Sequence, residues 1–260
     1  MPRREWPFAV ALALLGGAYL LLVAAMLVAD FAFTSPDHVL AALRSPDIRS
    51  AIWLSLLSSG IAAILSVWVA VPLGYLLART RFWGRPAVEF LVDVPVVLPP
   101  LVIGLSLLIL FQSGAGRAVQ EVVAVTYAVP AVILAQFTVS AALATRTMRV
   151  TFEQLPTRTE QVARTLGCTR GQAFWQISLP EAMPGVRSAA ALAWARAVGE
   201  FGPVVVFAGV TRGRTEVMTT TVFLELNVGN LQAALAVSVL MIGVAAAVLA
   251  VLRWAGPRAE

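Results

Sequence analysis

The amino-acid sequence predicts an all-α integral membrane protein with six transmembrane helices. The first observation is composition, since 59% of the 260 residues are hydrophobic and 13% are charged, against about 25% charged residues in soluble domains. The second is that the apolar residues fall into six runs near the roughly 20 residues that a helix needs to cross a bilayer. The third is that the basic residues lie almost entirely in short loops between these runs. We expect one membrane domain covering residues 1–260.

The six predicted spans have boundaries set by the apolar runs. They cover residues 7–29, 50–78, 90–112, 122–145, 188–210 and 231–254. The first run follows Arg3 and Arg4, as the apolar region of a cleaved signal peptide also does. Such a region has about 7–15 residues. Because this run is longer, a retained helix is the favoured interpretation.

The distribution of Arg residues predicts the orientation of the chain. Thirteen Arg lie in one set of segments, formed by the N-terminus, the loops 79–89 and 146–187, and the C-terminus, and five lie in the opposite set. Loops rich in Lys and Arg remain in the cytoplasm. We therefore expect a multi-pass protein of the cell (inner) membrane with both termini in the cytoplasm.

Residue types that the chain lacks limit its chemistry. All 19 basic residues are Arg, and a P-loop needs a Lys on the nucleotide phosphates. If ATP is used, its magnesium complex must therefore bind a partner subunit. A single Cys (Cys168) and a single His (His38) leave no internal disulfide and no Cys- or His-based metal cluster. We expect no catalytic residue, no metal, no cofactor in this chain and no nucleic-acid partner.

The longest polar interruption is Thr157–Pro180, which we call the polar hairpin. Thr157 with Glu160, and Thr169 with Gln172, both fit the capping box that begins a helix. Gly167 lies between them, where a positive φ ends the first helix. The pattern predicts two short helices joined at Gly167 and held outside the bilayer.

The third span contains Pro95, Pro99 and Pro100 within six residues. Each proline removes a backbone donor and disfavours a straight helix. In lipid the freed carbonyls must find other partners, so the break is expected to face the protein interior. A hinge or pathway-lining segment and a kink that only helps packing remain as alternatives.

The fifth span carries Arg196 and Glu200 on one helical face. Each charge costs about 2.5–3.5 kcal/mol near a bilayer centre, so this helix should avoid lipid. Ala189, Ala193 and Ala197 add small residues that permit close helix approach, which places the helix at the bundle centre. Three roles remain as alternatives for Arg196 and Glu200: a structural ion pair, part of a gate, or direct contact with substrate.

The apolar stretch Val217–Leu226 follows the fifth span and has only ten residues. This length is too short to cross a bilayer, so an interfacial or re-entrant piece fits better. It carries Thr219, Thr220 and Thr221, whose hydroxyls are candidates for contact with an anion. Such triplets also occur at ordinary helix ends and in strands.

The polar hairpin resembles the EAA loop of ABC-importer permeases. Gly167 is followed, after nine residues, by Ile177-Ser178-Leu179-Pro180, as in the G-x9-I-x-L-P core of that loop. Gln161-Val162-Ala163 stands where the family has Glu-Ala-Ala, and Glu160 lies one place early. The contact usually made by the family's Glu is therefore open at this position.

The resemblance implies that the hairpin forms coupling helices that dock on an ATPase subunit. Arg164 and Arg170 would then pair with acidic groups of the ATPase. Ala163, Leu166, Phe174 and Ile177 would face that partner or the base of the bundle. The coupling residues implied are Glu160, Gln161, Ala163, Arg164, Gly167, Phe174, Ile177, Leu179 and Pro180.

The stretch RAVGEFG at residues 196–202 resembles a motif of permeases for oxyanions. By this likeness the chain is a type I importer permease that forms a homodimer, with two ATPase subunits inside and a substrate-binding protein outside. The implied mechanism is alternating access, with molybdate or tungstate as the first choice of substrate and sulfate as the second. An ion-coupled secondary transporter is the rival class, but it would need ionisable groups in several spans, and one clear pair is present.

Overall fold

The computed structural model describes residues 6–255, and every regular element in that range is a helix. The predicted all-α class is therefore confirmed. Arg3, Arg4 and Arg258, which entered the count that predicted the orientation, lie outside the described residues.

The described chain consists of thirteen α-helices and two short π-helices. In chain order they are α1 (Trp6–Phe33), α2 (Pro36–Arg44), α3 (Pro46–Arg79), α4 (Arg85–Val97), α5 (Pro100–Gln112), α6 (Gly114–Val122), α7 (Val129–Gln154), α8 (Thr157–Thr165), α9 (Arg170–Ala173), π1 (Phe174–Ser178), α10 (Leu179–Glu181), α11 (Met183–Val198), π2 (Val204–Ala208), α12 (Met218–Asn227) and α13 (Leu231–Ala255).

Four of these helices, α1, α3, α7 and α13, are long and apolar enough to cross a membrane, and α4 with α5 forms a bent pair that would count as a fifth span. With 16 residues, α11 is shorter than the roughly 20 residues of a spanning helix. The predicted number of six spans is thus met only approximately by helix length.

The fourth predicted span begins later than expected. Val122 ends α6, and the next helix, α7, starts only at Val129. Pro130 stands in the first turn of α7. A backbone N–H has no partner within the helix at that position, so proline is tolerated there. Helix α7 then continues nine residues beyond the predicted end of the span at 145, to Gln154. This added part of the helix contains Arg146 and Arg149.

The fifth predicted span, 188–210, is not one continuous helix. Helix α11 ends at Val198, residues 199–201 are unwound, and π2 follows at Val204–Ala208. Gly199, Gly202 and Pro203 fall in this interval, and glycine and proline are the weakest helix formers. This break was not predicted, because the apolar composition of the span concealed these residues.

The third span is broken where its prolines predicted. Helices α4 and α5 meet at Leu98 and Pro99 with a bend of 117°. Pro95 lies inside α4, and Pro100 opens α5. The membrane region therefore contains two breaks, one in the third span and one in the fifth.

The bundle centre is formed by α3, α7 and α11, which pack against one another. Small side chains allow this close approach: Ala189, Ala193 and Ala197 of α11 are fully buried. Ser66 of α3 and Ser140 of α7 hydrogen-bond across the contact at 2.8 Å. The polar hairpin covers the end of the bundle where α3 and α7 terminate, which we call the hairpin end.

Candidate functional site

The polar hairpin has only one of its two predicted capping boxes. The amide of Gln172 donates to the Thr169 hydroxyl at 3.3 Å, and the amide of Thr169 donates to the Gln172 side chain at 2.8 Å. Gly167 has a φ of +96°, the left-handed conformation that ends α8. The box predicted at Thr157 is absent, because the helix is capped by Pro156 without a side-chain hydrogen bond.

The carboxylate of Glu160 turns towards the membrane helices. Its Oε1 accepts a hydrogen bond of 2.6 Å from the Tyr75 hydroxyl, and its Oε2 accepts one of 3.2 Å from the Ser178 hydroxyl. The Arg79 Nε lies 3.9 Å from the same Oε2. Glu160 therefore joins α8 to α3 and to π1.

An aromatic cluster lies beside this network. The ring centroid of Tyr75 is 5.3 Å from that of Phe152 in α7 and 4.7 Å from that of Phe174 in π1. Arg79 donates a further hydrogen bond of 2.9 Å to the carbonyl of Leu155, just after α7. The hairpin is thus attached to both central helices by apolar and polar contacts.

The opposite face of the hairpin is exposed and partly apolar. Leu166 is 82% exposed, Trp175 67% and Val162 50%. The four residues expected to face a partner or the bundle base divide between the two sides: Ala163 is buried, Phe174 packs in the core, Ile177 is half-buried and Leu166 is exposed. Of the other implied coupling residues, Leu179 is half-buried, and the exposed ones are Gln161, Arg164, Gly167 and Pro180.

Trp175 was not singled out from the sequence. Its signal was available, since a tryptophan inside the longest polar segment of a membrane protein has no lipid to face.

Beside the hairpin, a cavity of about 200 Å³ opens between Glu160 and the end of α3. Three Arg side chains contribute to its wall, namely Arg79, Arg164 and Arg170, so positive charge predominates there.

The second region is the unwound segment 199–201 between α11 and π2. Arg196 forms an ion pair with Glu200, whose side chain is 1% exposed, while that of Arg196 is 32% exposed. Both partners belong to the same stretch of chain, one helical turn apart. The Glu200 carboxylate is enclosed by protein, whereas part of the Arg196 side chain is exposed.

The other predicted pathway elements converge on this segment. The carbonyl of Glu200 accepts a 3.0 Å hydrogen bond from the Thr219 hydroxyl. Gly202 lies against Pro100, so that a Cβ at Gly202 would be 2.7 Å from the Pro100 Cβ. The break in the third span and the break in the fifth therefore touch.

The threonine triplet faces inward. Thr220 and Thr221 are buried, and their hydroxyls donate to the carbonyl of Val217 at 2.8 and 3.1 Å. Together with the bond from Thr219 to Glu200, these contacts use the donor of every hydroxyl. An anion needs donors, so the expectation that the triplet presents free hydroxyls to an anion does not fit this geometry.

The end of the bundle opposite the hairpin holds a charged network that the sequence did not reveal. Arg212 donates to Glu225 at 2.8 Å and lies 3.9 Å from Asp47, and Asn230 donates to Glu225 at 2.8 Å. Nearby, burial raises the pKa of the Glu216 carboxyl, against the opposing effect of the charge of Arg212. These contacts connect the loop after π2 to α3 and α12.

Comparison with protein families gives one match, to the family described as "binding-protein-dependent transport system inner membrane component", over residues 70–260. The matched region includes the polar hairpin and both membrane breaks.

Curated proteins with related sequences are transport permeases. The chain is 35% identical over 218 residues to a molybdate/tungstate transport system permease protein of Thermococcus kodakarensis, covering 84% of this chain and 83% of that protein. It is 34% identical to a molybdenum transport system permease protein of Mycobacterium tuberculosis, with 80% of each covered. A sulfate transport system permease protein of Escherichia coli is 32% identical, with 84% and 80% covered.

Solved structures with the same fold include a bacterial ABC transporter that imports the polysaccharide alginate. Its chain superimposes with a TM-score of 0.74 at 17% identity, covering 97% of this chain and 94% of that one. An inward-facing methionine ABC transporter has a TM-score of 0.64 at 19% identity, covering 78% and 91%. At these identities the likeness concerns the fold.

Proposed function

This chain belongs to the family of binding-protein-dependent transport system inner membrane components, and from that premise we propose that it is the permease subunit of an ATP-driven oxyanion importer. Molybdate or tungstate is our first choice of substrate, and sulfate is the second. The observation that carries the substrate class is the identity of 32–35% with permeases named for these three anions, over 80% or more of this chain.

The ATPase partner docks on the exposed face of the polar hairpin. Exposed apolar side chains outside a bilayer mark interaction sites, and Val162, Leu166 and Trp175 form such a face. The exposed guanidinium groups of Arg164 and Arg170 flank it and suit acidic groups on the partner. Because the chain has no Lys, and so no P-loop, that partner supplies ATP hydrolysis.

This docking fixes the orientation of the molecule. The hairpin end lies in the cytoplasm with both chain termini, in agreement with the excess of Arg on that side. The opposite end, with Arg212 and Glu225, then faces the extracytoplasmic binding protein. The functional unit is a homodimer of this chain with two ATPase subunits.

The translocation pathway runs along the exposed side of Arg196. A charge in lipid costs about 2.5–3.5 kcal/mol, so the open side of the guanidinium faces a water-filled passage at the dimer axis. A guanidinium carries five N–H donors, and its ion pair with Glu200 leaves some of them for an anion in transit. The prolines 95, 99 and 100 and the unwound segment 199–201 supply the flexible points at which the third and fifth spans reorient.

Uptake into proteoliposomes tests this function. The chain is reconstituted with the ATPase and the binding protein that are encoded with it, and uptake of radiolabelled molybdate is measured with and without ATP. We expect ATP-dependent uptake that excess tungstate suppresses more strongly than excess sulfate does. Stronger suppression by sulfate would favour the second substrate, and uptake without ATP would contradict an ATP-driven importer in favour of an ion-coupled transporter.

A further inference from the structure

The polar network around Glu160 has a role that docking alone does not require. We propose that Glu160 is the positioning residue that fixes the polar hairpin to the membrane helices, so that movement of the docked ATPase is transmitted to α3 and α7. The inference rests on the proposed function and deepens it, because it assigns Glu160 to transmission and leaves contact with the ATPase to its neighbours.

Both carboxylate oxygens of Glu160 are occupied by groups on other elements. The Tyr75 hydroxyl belongs to α3 and lies 2.6 Å from Oε1, and the Ser178 hydroxyl belongs to π1 and lies 3.2 Å from Oε2. Hydrogen bonds to a charged acceptor are short and about twice as strong as neutral ones. Glu160 meets both donors at once only when α8 keeps its position relative to α3 and π1.

The adjacent residue, Gln161, points to a different side of the helix. Gln161 is exposed, while the side chain of Glu160 is 13% exposed and faces the bundle. Successive residues of an α-helix point about 100° apart, since one turn takes 3.6 residues. Val162 and Leu166 share the exposed side, and Ala163 shares the buried side with Glu160. Helix α8 therefore has one face for attachment and another for the partner.

The aromatic cluster cannot supply this orientation by itself. The contacts of Tyr75 with Phe152 and Phe174 are apolar and tolerate sliding, whereas a hydrogen bond weakens steeply when its angle is lost. Arg79 connects the two kinds of contact: it lies 3.9 Å from the Glu160 carboxylate and donates to the carbonyl of Leu155 after α7. The hairpin, α3 and α7 thereby form one mechanical unit.

A pair of neighbouring alanine variants separates attachment from docking. Glu160→Ala and Gln161→Ala are compared in the complete transporter, with three readouts: ATPase retained on the purified permease, ATP hydrolysed and molybdate taken up. For Glu160→Ala we expect retained ATPase within about twofold of the unmodified complex and about tenfold less molybdate taken up per ATP hydrolysed, the factor that loss of one charged hydrogen bond supports. Because Gln161 lies on the exposed docking side of α8, Gln161→Ala should lower the amount of ATPase retained, while each ATP hydrolysed still drives the same molybdate uptake.

Two further variants exclude a general loss of stability. Tyr75→Phe removes one donor and leaves the ring in its cluster, so it should lower uptake per ATP in the same way but less. Combined with Glu160→Ala, it should add almost nothing, because both changes break the same contact. Glu160→Gln keeps an acceptor for the Tyr75 hydroxyl and should restore part of the uptake per ATP. If the Glu160→Ala chain itself does not fold in the membrane and cannot be purified, Tyr75→Phe alone decides the question.

Three results would overturn the inference: loss of the ATPase from Glu160→Ala, unchanged uptake per ATP in both Glu160→Ala and Tyr75→Phe, or full additivity of these two changes. Failure of the proposed function looks different, because the unmodified complex would then show no ATP-dependent uptake. In that case hydrogen exchange on the purified chain decides whether Glu160 holds the hairpin. Faster exchange in residues 157–178 of Glu160→Ala supports the attachment, and unchanged exchange contradicts it.

Discussion

Glu160 and Glu200 are two enclosed carboxylates near an Arg, and they are held in different ways. Glu160 accepts hydrogen bonds from Tyr75 and Ser178, which lie on two other helices. Glu200 is paired with Arg196, one turn away on the same stretch of chain. The first arrangement ties separate elements together. The second neutralises a charge locally, and within residues 6–255 the Glu200 side chain is joined to no other element.

This difference predicts which parts of the molecule move together. A network that spans three elements resists their separation, so the hairpin should follow α3 and α7 as one body. A pair within one segment keeps its contact while that segment moves, which suits the unwound residues 199–201 between two helices. Substitutions in the second region measure how far its pair serves structure and how far it serves transport.

The largest expected effect is that of Glu200→Ala. It leaves the Arg196 guanidinium without its counter-ion, and because 32% of that side chain is exposed, we expect the lower end of the about 3–5 kcal/mol that removing one partner of a buried pair costs. Thermal melting of the purified chain in detergent measures this loss. The double variant Arg196→Ala/Glu200→Ala should recover much of it, and a single variant as stable as the parent would mean that the guanidinium is already well solvated.

Gly202→Val tests the contact between the two membrane breaks. The new side chain would overlap Pro100, since its Cβ would lie 2.7 Å from the Pro100 Cβ, and overpacking costs about 1–3 kcal/mol. Gly60→Ala is the matched control, because no atom lies within 4 Å of a Cβ there. Melting temperatures should fall for the first variant only. Equal melting of both variants would show that the breaks can move apart freely.

Arg196→Gln should have the smallest effect on stability and a clear effect on transport. The Gln side-chain amide can still donate a hydrogen bond to the Glu200 carboxylate, so the chain should keep its fold and its ATPase. Without the positive charge we expect at least about a tenfold decrease of molybdate uptake, equivalent to a lost interaction of about 1.4 kcal/mol. Arg196→Lys should retain more uptake than Arg196→Gln. Unchanged uptake in Arg196→Gln would leave the pair with a structural role alone.

Local sequence signals predicted local structure well. The capping box of Thr169 with Gln172 and the helix end at Gly167 depend on residues a few positions apart, and both are present. The same pattern failed at Thr157 with Glu160. The helix there begins one residue earlier, with Pro156 as its cap, and the Glu160 carboxylate bonds instead to Tyr75, 85 residues away, a contact that no local pattern contains.

The membrane region shows the same limit. The prolines predicted the break in the third span, because each proline lacks a backbone hydrogen-bond donor in any surroundings. The break in the fifth span depends on Gly199 and Gly202 inside an apolar run, and hydropathy alone reads that run as one helix. The convergence of Pro100, Gly202 and Thr219 is set by packing between distant segments, so the sequence identified these candidates without placing them together.

Docking of the ATPase on the exposed face of the hairpin can be tested directly by co-purification. Leu166→Asp changes a side chain that is 82% exposed, so it should leave the melting temperature of the purified chain unchanged. Thr165→Asp adds the same charge at the neighbouring exposed position and serves as the control. We expect the ATPase to co-purify with the control and to be lost from Leu166→Asp. Normal co-purification with both variants would contradict docking on this face.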